Sequence, residues 1–274
     1  MNNYFNLSNK IILITGGGGL LAFHHAAAII SYGGTPILLD NNLASLQKNQ
    51  TNLFREFRRN IFTLECDITD ALSLQKSLIT IKNEFHGIDV LINNAARNPK
   101  VESNQEINFS RLEDFPIDQW NLDISVGLTG AFNCCKVFGT YMARSGKGGH
   151  IINIASDLGV IAPDQRIYQV PGLSSHLQPV KPISYSVVKH GLIGMTKYLA
   201  TYWCDYSVRC NSISPGGVQN GQNQEFVEKL AGLIPMGRMA QPDEYRGAIV
   251  FLCSDSSSYL NGANIIIDGG RSAW

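Results

Sequence analysis

The chain has 274 residues with 22 Lys+Arg against 22 Asp+Glu, so its formal charge is zero. Charged residues make up 16 % of it, where an average soluble domain has roughly 25 %; 23 Asn and 26 Gly take up the difference. A neutral chain without basic runs has no electrostatic footprint for nucleic acid, and the sparse charge suits a surface partly covered in an oligomer.

The length fits one large α/β domain or two small ones. Residues Met1 to Lys10 are polar and carry no signal pattern. The apolar stretches fall far short of the ~20 residues that a membrane span needs. These features predict a cytoplasmic protein with no membrane partner. The six cysteines, Cys66, Cys134, Cys135, Cys204, Cys210 and Cys253, form no C-x-x-C. The histidines have no ligand spacing, so no metal site is expected. The cysteines read as reduced, mostly buried thiols, with a vicinal redox role for Cys134–Cys135 as the alternative.

Along the chain, short β-branched runs alternate with longer helical stretches. Ile11 to Ile14 is a continuous apolar run, as expected of a strand buried on both faces. Leu20 to Tyr32 predicts a helix, Pro36 to Asp40 a second strand and Leu43 to Asn60 a second helix. Ile61 to Asp67, Val90 to Asn93, Ile151 to Ala155, Val208 to Ile213 and Ile265 to Ile267 supply five more strands. Ala71 to Phe85, Ile117 to Arg144, Ser184 to Trp203 and Pro242 to Cys253 supply helices. The alternation implies right-handed βαβ units: one Rossmann-like, doubly wound α/β domain over 1–274, with a seven-stranded parallel sheet. Three segments break the pattern: Arg97 to Asp114, Asp157 to Ile183 and Pro215 to Gln241. Each follows a strand, where the ligand crevice of an open parallel sheet lies, and loops this long are usually functional.

The first strand runs into Thr15-Gly16-Gly17-Gly18-Gly19-Leu20-Leu21-Ala22. Glycines there allow a tight turn and close approach of a pyrophosphate to a helix N-terminus. The register G-x-x-G-x-x-A uses Gly16, Gly19 and Ala22; G-x-x-x-G-x-G would place Leu20 and Ala22 at glycine positions. A plain strand–helix turn is the bland alternative. Asp40 ends the second strand, where a carboxylate accepts hydrogen bonds from the ribose hydroxyls of NAD and repels the 2′-phosphate of NADP. Neither Asn41 nor Asn42 offers that phosphate a cation, so NAD is expected in preference to NADP. Helix capping is the competing reading of Asp40. Asp67, at the end of the third strand, suits the adenine edge or a cap equally.

Tyr185-Ser186-Val187-Val188-Lys189 places a phenol and an ammonium on one helical face. A neighbouring cation stabilises phenolate and lowers its pKa, so such a Tyr can exchange a proton with a carbinol or ketone while hydride moves to or from nicotinamide. Without context, a surface i,i+4 pair would be the default. Ser156 supplies context: it lies just past the fifth strand, on the same rim as the glycines, where its hydroxyl can stabilise charge on the reacting oxygen.

Taken in order, Thr15 to Ala22, Asp67, Asn93-Asn94-Ala95-Ala96, Ser156, Tyr185 with Lys189, Asn211 with Pro215-Gly216, and Asp268-Gly269-Gly270 resemble the short-chain dehydrogenases/reductases over almost the whole chain. The resemblance implies catalytic roles for Ser156, Tyr185 and Lys189, with Lys189 also on the nicotinamide ribose. It implies cofactor contacts along Gly16, Gly19, Leu20, Asp40, Asp67, Ile68, Asn93, Ala95, Tyr185, Lys189, Pro215, Gly216 and Val218. It further implies a homodimer or homotetramer. Gly127 stands where the family usually has an Asn that helps hold a relay water, which places the relay in question. Ala96 replaces a usual glycine, and Asn220 stands in for a usual Thr near the pyrophosphate.

The largest departure is the spacing from Ser156 to Tyr185, far longer than the family's. Tyr168 sits nearer Ser156, but Gly172 occupies the position its Lys would need, so Tyr168 is not the acid/base. Segment 157–183 is therefore an inserted substrate loop, with Gln165, Arg166, Tyr168 and His176 as substrate residues; a plain connector is the alternative. Segment 215–241 is lid-like, and Arg238 is a further anion contact. The loop, residues 211–218 and Ile234 to Met239 are similar to members linked to flagellin modification and bacterial surface sugars. The expected activity is NAD-dependent interconversion of a secondary alcohol and a ketone, on a sugar, amino-sugar phosphate or nucleotide-sugar. The alternatives are a 3-oxoacyl-thioester reductase and a dinucleotide-binding regulator that has lost catalysis.

Overall fold

The computed structural model describes residues 4–97 and 110–274. Most of the expected loop Arg97 to Asp114 lies outside them.

Seven strands, β1 (Ile11–Thr15), β2 (Thr35–Asp40), β3 (Phe62–Glu65), β4 (Val90–Asn93), β5 (Gly149–Ile154), β6 (Val208–Pro215) and β7 (Asn264–Ile267), form one all-parallel sheet. Their order is β3-β2-β1-β4-β5-β6-β7. The register pairs Leu13 with Ile37 on one side and with Leu91 on the other. The strand order reverses between β1 and β4, and ligands bind at such switch points, beyond the carboxyl ends of the strands.

Helices cover both faces. On one, α1 (Leu20–Ser31), α2 (Leu43–Phe57) and α7 (Arg246–Cys253) cover Ile12, Ile14, Ile152 and Ile213. On the other, α3 (Ala71–Phe85), α4 (residues 117–144) and α5 (Ile183–Tyr202) cover Leu13, Leu39, Leu91 and Ile151. Alternate residues of each central strand thus enter opposite cores, which is why those strands read as unbroken apolar runs. Helix α4 follows the expected bounds but contains two π-helical turns, Ser125–Thr129 and Cys135–Gly139.

The two long segments after β5 and β6 meet each other. Ile167 from the first packs with Leu230, Ile234 and Met239 from the second. The second contains a short helix, α6 (Gln224–Ala231), whose Lys229 donates to the Gln169 carbonyl at 2.8 Å. Cys134 and Cys135 are buried, and burial pushes both thiols up, Cys135 to about 12. Reactive cysteines have the opposite character, so the redox alternative has no support. No helix of the described residues is long and apolar enough to cross a membrane, and those residues contain no cluster of metal-ligating side chains.

Candidate active site

The glycine turn is built by backbone contacts. Gly16 has φ +65°, and a Cβ there would lie 2.7 Å from the Ala95 Cα. The Gly17 N–H donates to Leu39 O at 2.8 Å, and Gly19 N–H to Gly16 O at 3.0 Å. Gly19 caps α1 without any side-chain hydrogen bond, so the first N–H groups of the helix are left for a ligand. Leu20 and Leu21 line a crevice of about 310 Å³ at this point. A pyrophosphate fits these residues, because a free helix N-terminus with no side chain over it is what such an anion needs.

Asp40 holds this turn from the side. Its carboxylate accepts from the Gly18 N–H at 2.9 Å and from the Asn42 N–H at 2.8 Å. Asn42, not Asp40, caps α2. Asp67 accepts from the Thr69 N–H and hydroxyl at 2.8 and 2.7 Å, and Asp70 caps α3. The capping alternatives therefore fall to neighbouring residues. Ile68 is buried against Gly130. The Asn93 amide points into the sheet, donating to Asn153 Oδ1 at 2.8 Å and Cys135 Sγ at 3.2 Å. Its neighbour Asn94 lines the crevice and donates to Thr15 O at 3.0 Å. Sequence reasoning missed Asn49, a buried amide on α2 that donates to Gly17 O and Gly19 O at 2.9 and 3.0 Å.

At the other end of the crevice, β5 delivers Ser156 and α5 delivers Tyr185 and Lys189. Pro215, at the end of β6, and Gly216 and Val218 just beyond it complete the wall. The Lys189 ammonium donates to Ile154 O at 2.8 Å and lies 5.7 Å from the centroid of the Tyr185 ring. Burial, then the charge of Lys181, brings Lys189 down to about 8. The Tyr185 phenol moves the other way. Burial pushes it up, the hydrogen bond with Ser156 pulls it down, and the charge of Asp157 pushes it up again. The net direction is upward: desolvation of the phenolate outweighs the Ser156 hydrogen bond, and the depression expected from a neighbouring cation does not appear.

The expected substrate residues separate. Tyr168 lines the crevice and packs on Phe226, ring centroids 5.6 Å apart. Gln165 turns to an adjoining pocket, where its Oε1 accepts from the Lys181 N–H at 2.8 Å. Arg166 is exposed and paired with Asp164, Nη2 to Oδ2 2.6 Å. His176 is exposed on the outer part of the insertion. Arg238 pairs with both oxygens of Glu244, at 2.6 and 2.7 Å, beside a smaller cavity. Exposed ion pairs meet their charge locally, which is why the two arginines do not turn inward. Three charged crevice residues went unread: Asp157, Lys181 and Arg271. The Lys181 ammonium lies 3.9 Å from the Tyr185 ring centroid, and Arg271 Nη1 lies 2.8 Å from Asp157 Oδ2.

A crevice that offers backbone N–H groups at one end and a half-buried phenol at the other suits hydride transfer between a dinucleotide and a carbon bearing oxygen. The protein is an NAD(P)-dependent oxidoreductase acting on CH–OH groups. Its sequence matches the short chain dehydrogenase family over residues 10–231, and the chain belongs to that family. It is 30 % identical to a D-threitol dehydrogenase of Mycolicibacterium smegmatis, covering 97 % of this chain and 94 % of the relative. It is also 30 % identical to an NADP-dependent mannitol dehydrogenase of Alternaria alternata, covering 98 % and 95 %. The crystal structure of a short chain dehydrogenase from Leptospira borgpetersenii serovar Hardjo-bovis with bound NAD+ superposes with a TM-score of 0.84. That structure is 30 % identical and covers 99 % of this chain and 96 % of the other.

Proposed function

We propose that the protein interconverts a polyol or related sugar with its ketone, using NAD in preference to NADP. The observation that carries this reading is the meeting of Ser156, Tyr185 and Lys189 in the crevice that begins at the uncapped end of α1. The bound dinucleotide would supply the hydride acceptor or donor. Ser156 and Tyr185 hold the reacting oxygen. In oxidation the Tyr185 oxygen takes the carbinol proton as hydride leaves the same carbon; in reduction it returns that proton. Lys189 supplies a positive charge that favours phenolate. Asp40 holds the adenosine ribose, and its carboxylate opposes a 2′-phosphate.

The crevice around Tyr168, Lys181, Asn220 and Gln222 offers hydrogen-bonding groups suited to a hydroxylated substrate. Two of the relatives named above are threitol and mannitol dehydrogenases, so the proposed substrate is a free polyol or sugar in place of a glycan precursor of flagellin modification. Segments 157–183 and 215–241 together form the substrate wall. We also propose a homodimer or homotetramer, because α4 leaves Leu122 and Phe132 exposed and α5 leaves Val187, Tyr198 and Tyr202 exposed. Light scattering checks this, and a monomer at micromolar concentration overturns it.

The test is NADH absorbance at equilibrium with threitol, mannitol, other polyols, sugar phosphates and a 3-oxoacyl thioester. Turnover is expected with a polyol. Tyr185→Phe is expected to lower kcat by roughly 10²–10⁴-fold, the usual contribution of a general acid/base, with NADH binding retained. Undiminished activity in that variant refutes the mechanism, and turnover of the thioester alone refutes the substrate class.

A further inference from the structure

The Asp268-Gly269-Gly270 turn brings a distant charge to the reacting centre. Gly269 and Gly270 have φ +67° and +88°, and the Asp268 carboxylate accepts from the Gly270 and Ser272 N–H groups at 2.9 and 2.7 Å. This reversal brings Arg271 to Asp157, where it is buried. Its side chain is 7 % exposed, and that of its partner Asp157 is 4 % exposed. Asp157 Oδ2 accepts from Arg271 Nη1 at 2.8 Å, while Oδ1 accepts from the Ser156 hydroxyl and the Leu158 N–H, both at 2.8 Å. The Ser156 hydroxyl thus has two competing partners, Asp157 and the Tyr185 oxygen, and a single proton to share between them.

We propose that Arg271 is a positioning residue for the reaction: by holding and neutralising Asp157, it sets the direction of the Ser156 hydroxyl and the charge felt by Tyr185. A buried carboxylate one residue from Ser156 opposes phenolate formation, and a buried guanidinium on that carboxylate offsets the opposition. The other groups around Tyr185 are fixed elsewhere. Lys181 lies over its ring from the insertion, Lys189 stands on its own helix, and Tyr168 lines the same crevice. On α4, Asp123 is engaged by the Ser184 hydroxyl at 2.6 Å and by Arg97 at 3.3 Å. The inference rests on the proposed roles of Ser156 and Tyr185, so it needs a measurement independent of turnover.

That measurement is the ultraviolet titration of the Tyr185 phenol, taken as the difference between each protein and its Tyr185→Phe counterpart. It is paired with the pH dependence of kcat/KM for oxidation of whichever polyol is turned over. Arg271→Met should move both midpoints up by about one pH unit, the scale of a neighbouring charge. Asp157→Asn should move them down, and the double variant should return near the parent value. Arg271→Lys should restore most of the parent profile, and NADH affinity should stay within about twofold throughout, a change of only ~0.4 kcal/mol. Opposite shifts that cancel in the double variant support the proposal. Unmoved midpoints, or shifts of one sign in both single variants, overturn it, even where activity falls. Should Arg271→Met fail to fold, the sign of the Asp157→Asn shift decides. A polyol panel without turnover defeats the substrate reading but leaves the absorbance test intact.

Discussion

Asp40 is committed to the protein before a cofactor arrives, since both its oxygens accept backbone N–H groups. Each carboxylate oxygen has a second lone pair, so the residue can fix the glycine turn and still receive ribose hydroxyls. The ribose role proposed above makes a specific prediction for this residue. Asp40→Ala should weaken NADH roughly tenfold or more, since hydrogen bonds to a charged group are worth about 1.5–3 kcal/mol. NADPH should lose far less, so the preference narrows. Fluorescence titration of both cofactors checks this; tighter binding of NADPH than NADH by the parent protein would remove the ribose role. At this scale the sequence was legible where chemistry depends on local spacing. Tyr185 with Lys189 one helical turn on, Ser156 at a strand end, and Gly16 to Gly19 before a helix each announce a place on the same rim. Arg271 was not legible, because its partner lies 114 residues away and only the fold joins them. Arg166 and Arg238 misled because charge suggests anion binding, whereas Asp164 and Glu244 already neutralise them at the surface.

The strands and helices followed from apolar runs and periodicity, but the π-helical turns of α4 did not. A shift of hydrogen bonding by one residue leaves composition unchanged, and such turns often occur at functional sites. The glycines in these turns show what the geometry serves. A Cβ on Gly127 would lie 2.6 Å from Val188 Cγ1, and one on Gly139 would lie 2.6 Å from Trp203 Cζ3. Both contacts bring α4 against α5 and its C-terminal end. The first sits beside Lys189, so the missing side chain at position 127 is a packing requirement of the helix that carries Tyr185. Gly127→Ala should therefore destabilise the protein. Alanine gains up to about 1 kcal/mol in helix propensity, but overpacking costs about 1–3 kcal/mol. Thermal unfolding should show a lower Tm, with kcat reduced through displacement of Tyr185. Gly127→Ala with Val188→Ala should recover part of both; a Tm raised by Gly127→Ala alone would show that α5 yields freely. The contact between the insertion and α6 was equally hidden, because Ile167 and Met239 lie in segments without periodicity.

Across the whole molecule, the cores are joined by buried polar groups whose protonation the fold dictates. His150 on β5 is the clearest. Its Nδ1 lies 2.6 Å from Leu252 O, a carbonyl that can only accept, so Nδ1 carries the proton. Its Nε2 lies 2.8 Å from Asn211 Nδ2, which also donates to Leu260 O, while Asn211 Oδ1 accepts from the Ala263 N–H. Asn211 therefore cannot turn to receive a proton from Nε2, and the neutral ring ties β5, β6, α7 and the approach to β7 together. Burial, then the charge of Arg209, takes His150 down to about 3; burial, then His24, takes His25 down to about 3. In the unfolded chain both return near 6.5. The unfolded state thus binds more protons between pH 6.5 and 3. The stability that the neutral rings confer is complete above 6.5 and is lost as the pH falls through that window. Each ring contributes a loss of about 1.4 kcal/mol per pH unit. Urea unfolding at fixed protein concentration should therefore show a marked fall in stability from pH 7 to pH 5. His150→Gln should lower stability at pH 7, because it breaks the network, yet flatten the dependence by about one proton's slope. An unfolding free energy equal at pH 7 and pH 5 would mean that both rings already carry protons in the folded protein, which for His150 the donor facing Nε2 forbids.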